Sequence, residues 1–123
     1  MDRGPAIIAI VDDDDAVRDS LSLLLGAHGM TVRAYASPGQ FLSDAASRAD
    51  CLIFDLHMPE MTGIELAERL RGRGISTPIV IVTGRNDPRL APRMQRAGVS
   101  AVLSKPVDEE KLLACIRDAG QSD

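Results

Sequence analysis

Aromatic side chains are nearly missing from this 123-residue chain, which has no Trp, one Tyr and two Phe. So few rings cannot build the base-stacking platform by which single-stranded nucleic acid is held. Cysteine is scarce too. Cys51 and Cys115 are the two in the chain, and neither stands in a spacing that holds a metal, activates a nucleophile or frames a disulfide. Both read as small buried hydrophobes, Cys51 at a strand start and Cys115 on the apolar side of the last helix. No apolar run approaches the ~20 residues of a membrane span. The start, Met1-Asp-Arg-Gly-Pro5, lacks the basic residues and apolar core of a signal peptide, so a cytoplasmic location is the expectation. An excess of positive charge is also absent. A net charge of −4 argues against a general nucleic-acid or membrane-surface binder and leaves a protein or a small anion as partner.

What is present fits one domain over residues 1–123, with its core at about 6–119: 45% hydrophobic and 26% charged residues, with no repeat, low-complexity segment or internal linker. The central stretch is Cys51-Leu-Ile-Phe-Asp55-Leu-His-Met-Pro-Glu-Met-Thr-Gly63. A short apolar run ends there in one aspartate, and a Pro/Gly turn carries the chain into an amphipathic segment. Ala6-Ile-Ile-Ala-Ile-Val11 ends similarly, in Asp12-Asp13-Asp14-Asp15.

Taken in order, Val17, Leu21, Leu24, Leu25 and His28 share one side of a helix that Gly29 closes. Thr31–Tyr35 alternates like a strand. Ser37-Pro38 reads as an N-cap and first helical position, opening a helix through Phe41, Leu42 and Ala45, with Phe41 in the core. A helix over Gly63–Arg71 follows the central strand, with Leu66 and Leu70 inward. Ile79-Val-Ile-Val82 has the pattern of a strand buried on both faces, and it ends in Thr83-Gly84. Pro92 delays the fourth helix to a start near Leu90–Pro92. Ala101–Leu103 is a short last strand running into Ser104-Lys105-Pro106, and Asp108 caps a final helix with Leu112, Ile116 and Ala119 inward. Five strands alternating with five helices imply an α/β, doubly wound parallel sheet with right-handed crossovers. Asp12, Asp13, Asp55, Thr83 and Lys105 all fall where a strand runs into the next helix, the edge at which open α/β sheets place their sites.

In that order, the acidic pair Asp12-Asp13, Asp55 in D-L-H-M-P-E-M-T-G, Thr83-Gly84 and Lys105-Pro106 resemble the receiver domain of two-component response regulators. Ile10–Arg18 and Gly63-Ile-Glu-Leu66 look closest to the nitrogen-fixation, FixJ-like branch. The resemblance covers essentially the whole chain and implies the flavodoxin-like strand order 2-1-3-4-5. It implies Mg²⁺ as cofactor, held by Asp13, Asp55 and the backbone carbonyl of His57, with Asp12 acting through water. That fits the charges: carboxylates ~4 Å apart repel by roughly 4 kcal/mol per pair at an effective dielectric near 20, and the resulting all-oxygen cluster suits a hard divalent ion. Asp55 is the implied nucleophile toward a phosphohistidine on a sensor histidine kinase or phosphotransfer protein, with Thr83 and Lys105 orienting the phosphoryl oxygens. Such a module is a phosphoacceptor that regulates a downstream effector domain or protein, and not a turnover enzyme. Nucleic acid enters only through a separate output domain, and a homodimer through the fourth helix and fifth strand is a further expected partner mode.

Departures from the family pattern accompany the matches. The family usually carries Tyr or Phe three residues before the lysine, where this chain has Val102, so the usual aromatic switch is missing and an atypical readout is expected. Two positions tune phosphate lifetime in the family, here His57 and Arg85, and Pro106 falls at a family site often in cis. Asp14 and Asp15 read as helix-capping acids. Met58 and Met61 read as packing, and Arg89, Arg93 and Arg96 as a solvated basic stripe. Two alternatives stand. One is an interaction module that does not switch by phosphorylation. The other is a small phosphatase of the haloacid-dehalogenase type, because Asp13-Asp-Asp-Ala-Val17 fits D-x-D-x-[TV] with Asp13 as nucleophile.

Overall fold

β-Branched and aliphatic runs with no internal Gly or Pro form five strands: β1 Ile7–Val11, β2 Thr31–Tyr35, β3 Cys51–Asp55, β4 Ile79–Thr83 and β5 Val99–Ser104. They appear in a computed structural model that describes residues 6–44 and 48–121. All pair in parallel, in the order β2-β1-β3-β4-β5. Parallel neighbours require crossovers, which are supplied by α1 Asp15–Ala27, α2 Pro38–Ser43, α3 Gly63–Gly72 and α4 Ala91–Arg96, with α5 Glu109–Gln121 closing the chain.

Both faces of the sheet are apolar, and the two-residue alternation sorts them into separate cores. Ala9, Val11, Leu52, Phe54, Ile79 and Ile81 pack against α2, α3 and α4. Ile8, Ile10, Cys51, Ile53, Val80 and Val82 pack against α1 and α5. The three aromatic rings form one ladder in the first of these cores. Tyr35 meets Phe41 at 5.4 Å and Phe41 meets Phe54 at 5.7 Å, both edge to face. Met58 is buried in that core and Met61 packs on it, as their sequence context implies. Cys51 and Cys115 are free thiols, and burial pushes the Cys51 thiol up to about 12.

Helix ends follow their local chemistry. Asp14 caps α1 through the Ala16 and Val17 N–H groups, and Ser37 caps α2 with Pro38 in its first turn. Thr62 and Glu65 form a reciprocal capping box on α3. The expected helix through Ala45 stops at Ser43, and Ala45 lies outside the described residues. Pro92 acts as foreseen: a 3₁₀ turn at Pro88–Leu90 leads into a six-residue α4 with the proline in its first turn. Arg89 lies in that turn and pairs with Asp87, and Arg93 makes a two-pronged bridge to Glu68 on α3, so the basic stripe is largely matched by acids.

The last strand is longer than Ala101–Leu103, and its pairing with β4 contains a shift. Ile79 faces Val99 but Val80 faces Ala101, which brings Thr83 opposite Ser104. Without that extra residue Thr83 would face Leu103, and every β5 side chain beyond the shift would change faces. The turn before β5 is held by Arg71 of α3, whose guanidinium donates to the carbonyls of Ala97, Gly98, Ile75 and Thr77 at 2.8–3.1 Å. Gly98 has φ +72° there, and a Cβ on it would meet Arg71 Nε at 3.2 Å. Arg71→Ala is expected to lower unfolding stability by about 2 kcal/mol in urea denaturation, and Arg71→Lys to recover less than half of the loss, because an ammonium cannot reproduce the planar fork.

Candidate functional site

Each strand hands its final residue to the carboxyl edge of the sheet, and the strand order decides which of those residues meet. β1 and β3 are adjacent, so Asp12 and Asp55 emerge side by side, 1% and 6% exposed. Asp13 follows on the open side of the loop. One carboxylate oxygen from each of Asp12, Asp13 and Asp55 lies within 4.8 Å of the others. β4 delivers Thr83, which is buried, and β5 delivers Lys105 one residue past its last pair.

Lys105 joins the two buried acids. Its Nζ lies 3.1 Å from Asp55 Oδ1 as a hydrogen bond and 3.1 Å from Asp12 Oδ2 as an ion pair. The second approach is off the hydrogen-bonding direction, so Asp12 Oδ2 is buried with no hydrogen-bond partner among the described residues. Asp12 Oδ1 accepts from the Asp14 N–H at 2.9 Å, and the Lys105 N–H donates to Thr83 O at 2.9 Å across the strand tips. The Lys105-Pro106 peptide is cis. Gly63 allows the turn after Asp55 to close, since a Cβ there would stand 2.5 Å from the Asp55 carbonyl oxygen.

Burial raises the Asp55 pKa above its ordinary value, the Asp12 charge adds to this, and Lys105 opposes it. The fold therefore takes up a proton at Asp55 more readily than the unfolded chain does. Stability contributed by this group falls as pH rises through the window from the ordinary aspartate value up to the raised one. For Lys105, burial pulls the pKa down, but its hydrogen bond to Asp55 and its charge pairing with Asp12 and Asp55 outweigh this and raise it. A divalent cation fits the donor set: one hard carboxylate oxygen from each of Asp12, Asp13 and Asp55 converges there, and the three carboxylates are mutually repulsive.

The remaining predicted residues are placed less directly. The Thr83 hydroxyl turns back on its own loop, donating to Arg85 O at 2.7 Å and accepting from the Arg85 N–H at 3.0 Å. The Arg85 and His57 residues are exposed in the loops after β4 and β3. Val102 is 38% exposed and belongs to neither core. Sequence reasoning assigned no role to Arg18, which donates to the Asp12 carbonyl at 2.7 Å and pairs with Asp15. A single arginine three residues beyond an acidic run, at helical pairing distance, was the available signal.

The family model of the response regulator receiver domain matches residues 8–117. Among curated relatives, the response regulator protein TmoT of Ectopseudomonas mendocina is 38% identical over 120 residues, covering 97% of this chain and 54% of that protein. The transcriptional regulatory protein FixJ of Azorhizobium caulinodans is 37% identical over 112 residues, covering 89% and 53%. The chain thus spans about half the length of these relatives. The solved structure of FixJ-N superposes with a TM-score of 0.86 at 31% identity, covering all of this chain and 98% of that one. A signal receiver domain from Pseudomonas fluorescens Pf-5 gives 0.87 at 31% identity, covering 97% and 96%. These matches lend nothing to Asp13 as a phosphatase nucleophile, and Asp13 is the exposed member of the triad while Lys105 bonds Asp55. No helix among the described residues is long and apolar enough to cross a membrane. With one family model spanning nearly the whole fold and relatives of the same kind in sequence and structure, this chain belongs to the response regulator receiver domains.

Proposed function

We propose that this domain is a Mg²⁺-dependent phosphoacceptor, in which Asp55 takes a phosphoryl group from a phosphohistidine on a sensor histidine kinase or phosphotransfer protein. The observation that carries the reading is the Lys105 ammonium lying 3.1 Å from both Asp55 and Asp12, with Asp13 completing a carboxylate cluster at the same sheet edge. An Asp55 carboxylate oxygen bonds to phosphorus as the bond from phosphorus to the histidine nitrogen breaks, leaving an aspartyl phosphate. Lys105 holds the Asp55 carboxylate in place and offsets negative charge on the phosphoryl oxygens. Asp13, Asp55 and the His57 carbonyl are the metal ligands in this reading, with Asp12 acting through water. The ion supplies charge neutralisation that a lone lysine cannot. For Thr83 to reach the phosphoryl group, its hydroxyl has to leave Arg85 O, so phosphorylation is coupled to the β4 loop.

The donor protein has to cover the ground around Asp55. A groove of about 380 Å³ lined by Val17, Leu21, Leu24, Pro106 and Val107 opens beside Lys105 and offers apolar surface to that protein. The domain acts in the cytoplasm, as one regulatory unit ahead of a separate effector domain or protein. Its readout is atypical, because β5 presents Val102 where an aromatic ring is usual and α4 is shortened by Pro92. A second copy docking through α4 and β5 belongs to the same proposal. Arg85 and His57 tune the lifetime of the phosphoryl group.

An acyl-phosphate donor with Mg²⁺ is expected to add one acid-labile phosphoryl group that maps to Asp55 and disappears in Asp55→Asn. Label that persists in that variant, or maps to Asp13, overturns the assignment. In thermal denaturation, Mg²⁺ at a hundredfold excess over its dissociation constant is expected to add about 2.7 kcal/mol. Asp13→Asn should remove most of that gain, and lowering the pH should erode it earlier than an ordinary aspartate would, because protons compete for a carboxyl whose pKa is raised. Arg85→Ala is expected to change the half-life of the labelled protein in water, and an unaltered decay rate would remove Arg85 from the tuning role.

A further inference from the structure

Arg18 is a cation on the second turn of α1 whose side chain is only 17% exposed, although it belongs to the face that meets the acidic loop. Its Nη1 donates to the Asp12 carbonyl at 2.7 Å, and its Nη2 pairs with the Asp15 carboxylate. Asp12 is thereby held at several points. Its N–H donates to Tyr35 O at 3.1 Å, its Oδ1 accepts from the Asp14 N–H at 2.9 Å, its Oδ2 faces Lys105, and its carbonyl is fixed by Arg18. That carbonyl shares a rigid peptide plane with the nitrogen of Asp13, so holding its oxygen sets the direction from which the Asp13 side chain departs. Asp13 is the exposed member of the triad and lacks the burial that fixes Asp12 and Asp55.

We propose that Arg18 is a positioning residue for the cation site: it orients the Asp12–Asp13 peptide so that the Asp13 carboxylate converges with those of Asp12 and Asp55. The inference rests on the cation-dependent reading given above. Two consequences of the same side chain have opposite sign. Its positive charge repels an incoming divalent ion, so removing the charge alone tightens binding. Its hold on the loop preorganises the ligands, so removing the hold weakens binding. The geometric effect is the larger one, since the guanidinium charge is already paired with Asp15.

Calorimetric titration with Mg²⁺ of the full chain, its Arg18→Ala variant and its Arg18→Gln variant tests this, with metal-free thermal denaturation run alongside. Both variants are expected to bind Mg²⁺ about tenfold more weakly than the parent, the scale seen when outer partners of metal ligands are removed. Arg18→Gln keeps a long, helix-favouring side chain and carries the test if the alanine variant does not fold. Unchanged or tighter binding in a folded variant overturns the positioning role. So does a lower metal-free melting temperature accompanied by an unaltered dissociation constant, which is the signature of a merely structural contact. A parent chain that takes up no Mg²⁺ overturns the cation site itself, and with it this inference.

Discussion

A single ammonium group held between two buried carboxylates is the contact on which the rest of this domain depends. Lys105 reaches Asp55 and Asp12 at 3.1 Å each, joining the tips of β1, β3 and β5. Buried acids this close are unstable as ions unless a positive charge stands with them. One lysine serves two carboxylates, so the pocket retains net negative charge and an Asp12 oxygen with no hydrogen-bond partner among the described residues. In the proposed function, that imbalance is what draws a divalent cation and then a phosphoryl group to the site. A fully neutralised cluster would have no such appetite.

Reaching this arrangement is a matter of sheet order and register. β1 lies between β2 and β3, and this adjacency sets Asp12 beside Asp55. β5 is separated from β3 by β4, so a long lysine stem has to cross the tip of β4, where its backbone N–H is tied to Thr83 O. The register shift between β4 and β5 places Ser104 opposite Thr83 and sets Lys105 at the right height. Arg71, anchored in α3, stabilises the turn from which β5 departs.

The loops around the site differ in how firmly they are held. The β1 loop is fixed by Asp14 as helix cap, by Arg18 and by the Tyr35 carbonyl. The β3 loop closes through the Gly63 N–H on Leu56 O and the capping box of α3. After β4 the restraint is lighter: the Thr83 hydroxyl is spent on the Arg85 backbone, and a 3₁₀ turn replaces the first part of α4. α4 behind that loop is only six residues long, and the aromatic ladder lies away from it, on β2, α2 and β3.

The tips of β1, β3, β4 and β5 were legible in the amino-acid sequence because each is an apolar run giving way to polar residues, and the period of the pattern is local. Asp12, Asp55, Thr83 and Lys105 could be named for that reason, as could the late start of α4, which follows from the missing N–H of Pro92. The bulge that aligns Lys105, the full extent of β5, the direction of the Thr83 hydroxyl and the four carbonyls gathered by Arg71 could not be read that way. Each depends on partners far away along the chain, and only when the sheet has assembled do those partners exist to choose between two registers or two rotamers of nearly equal local energy.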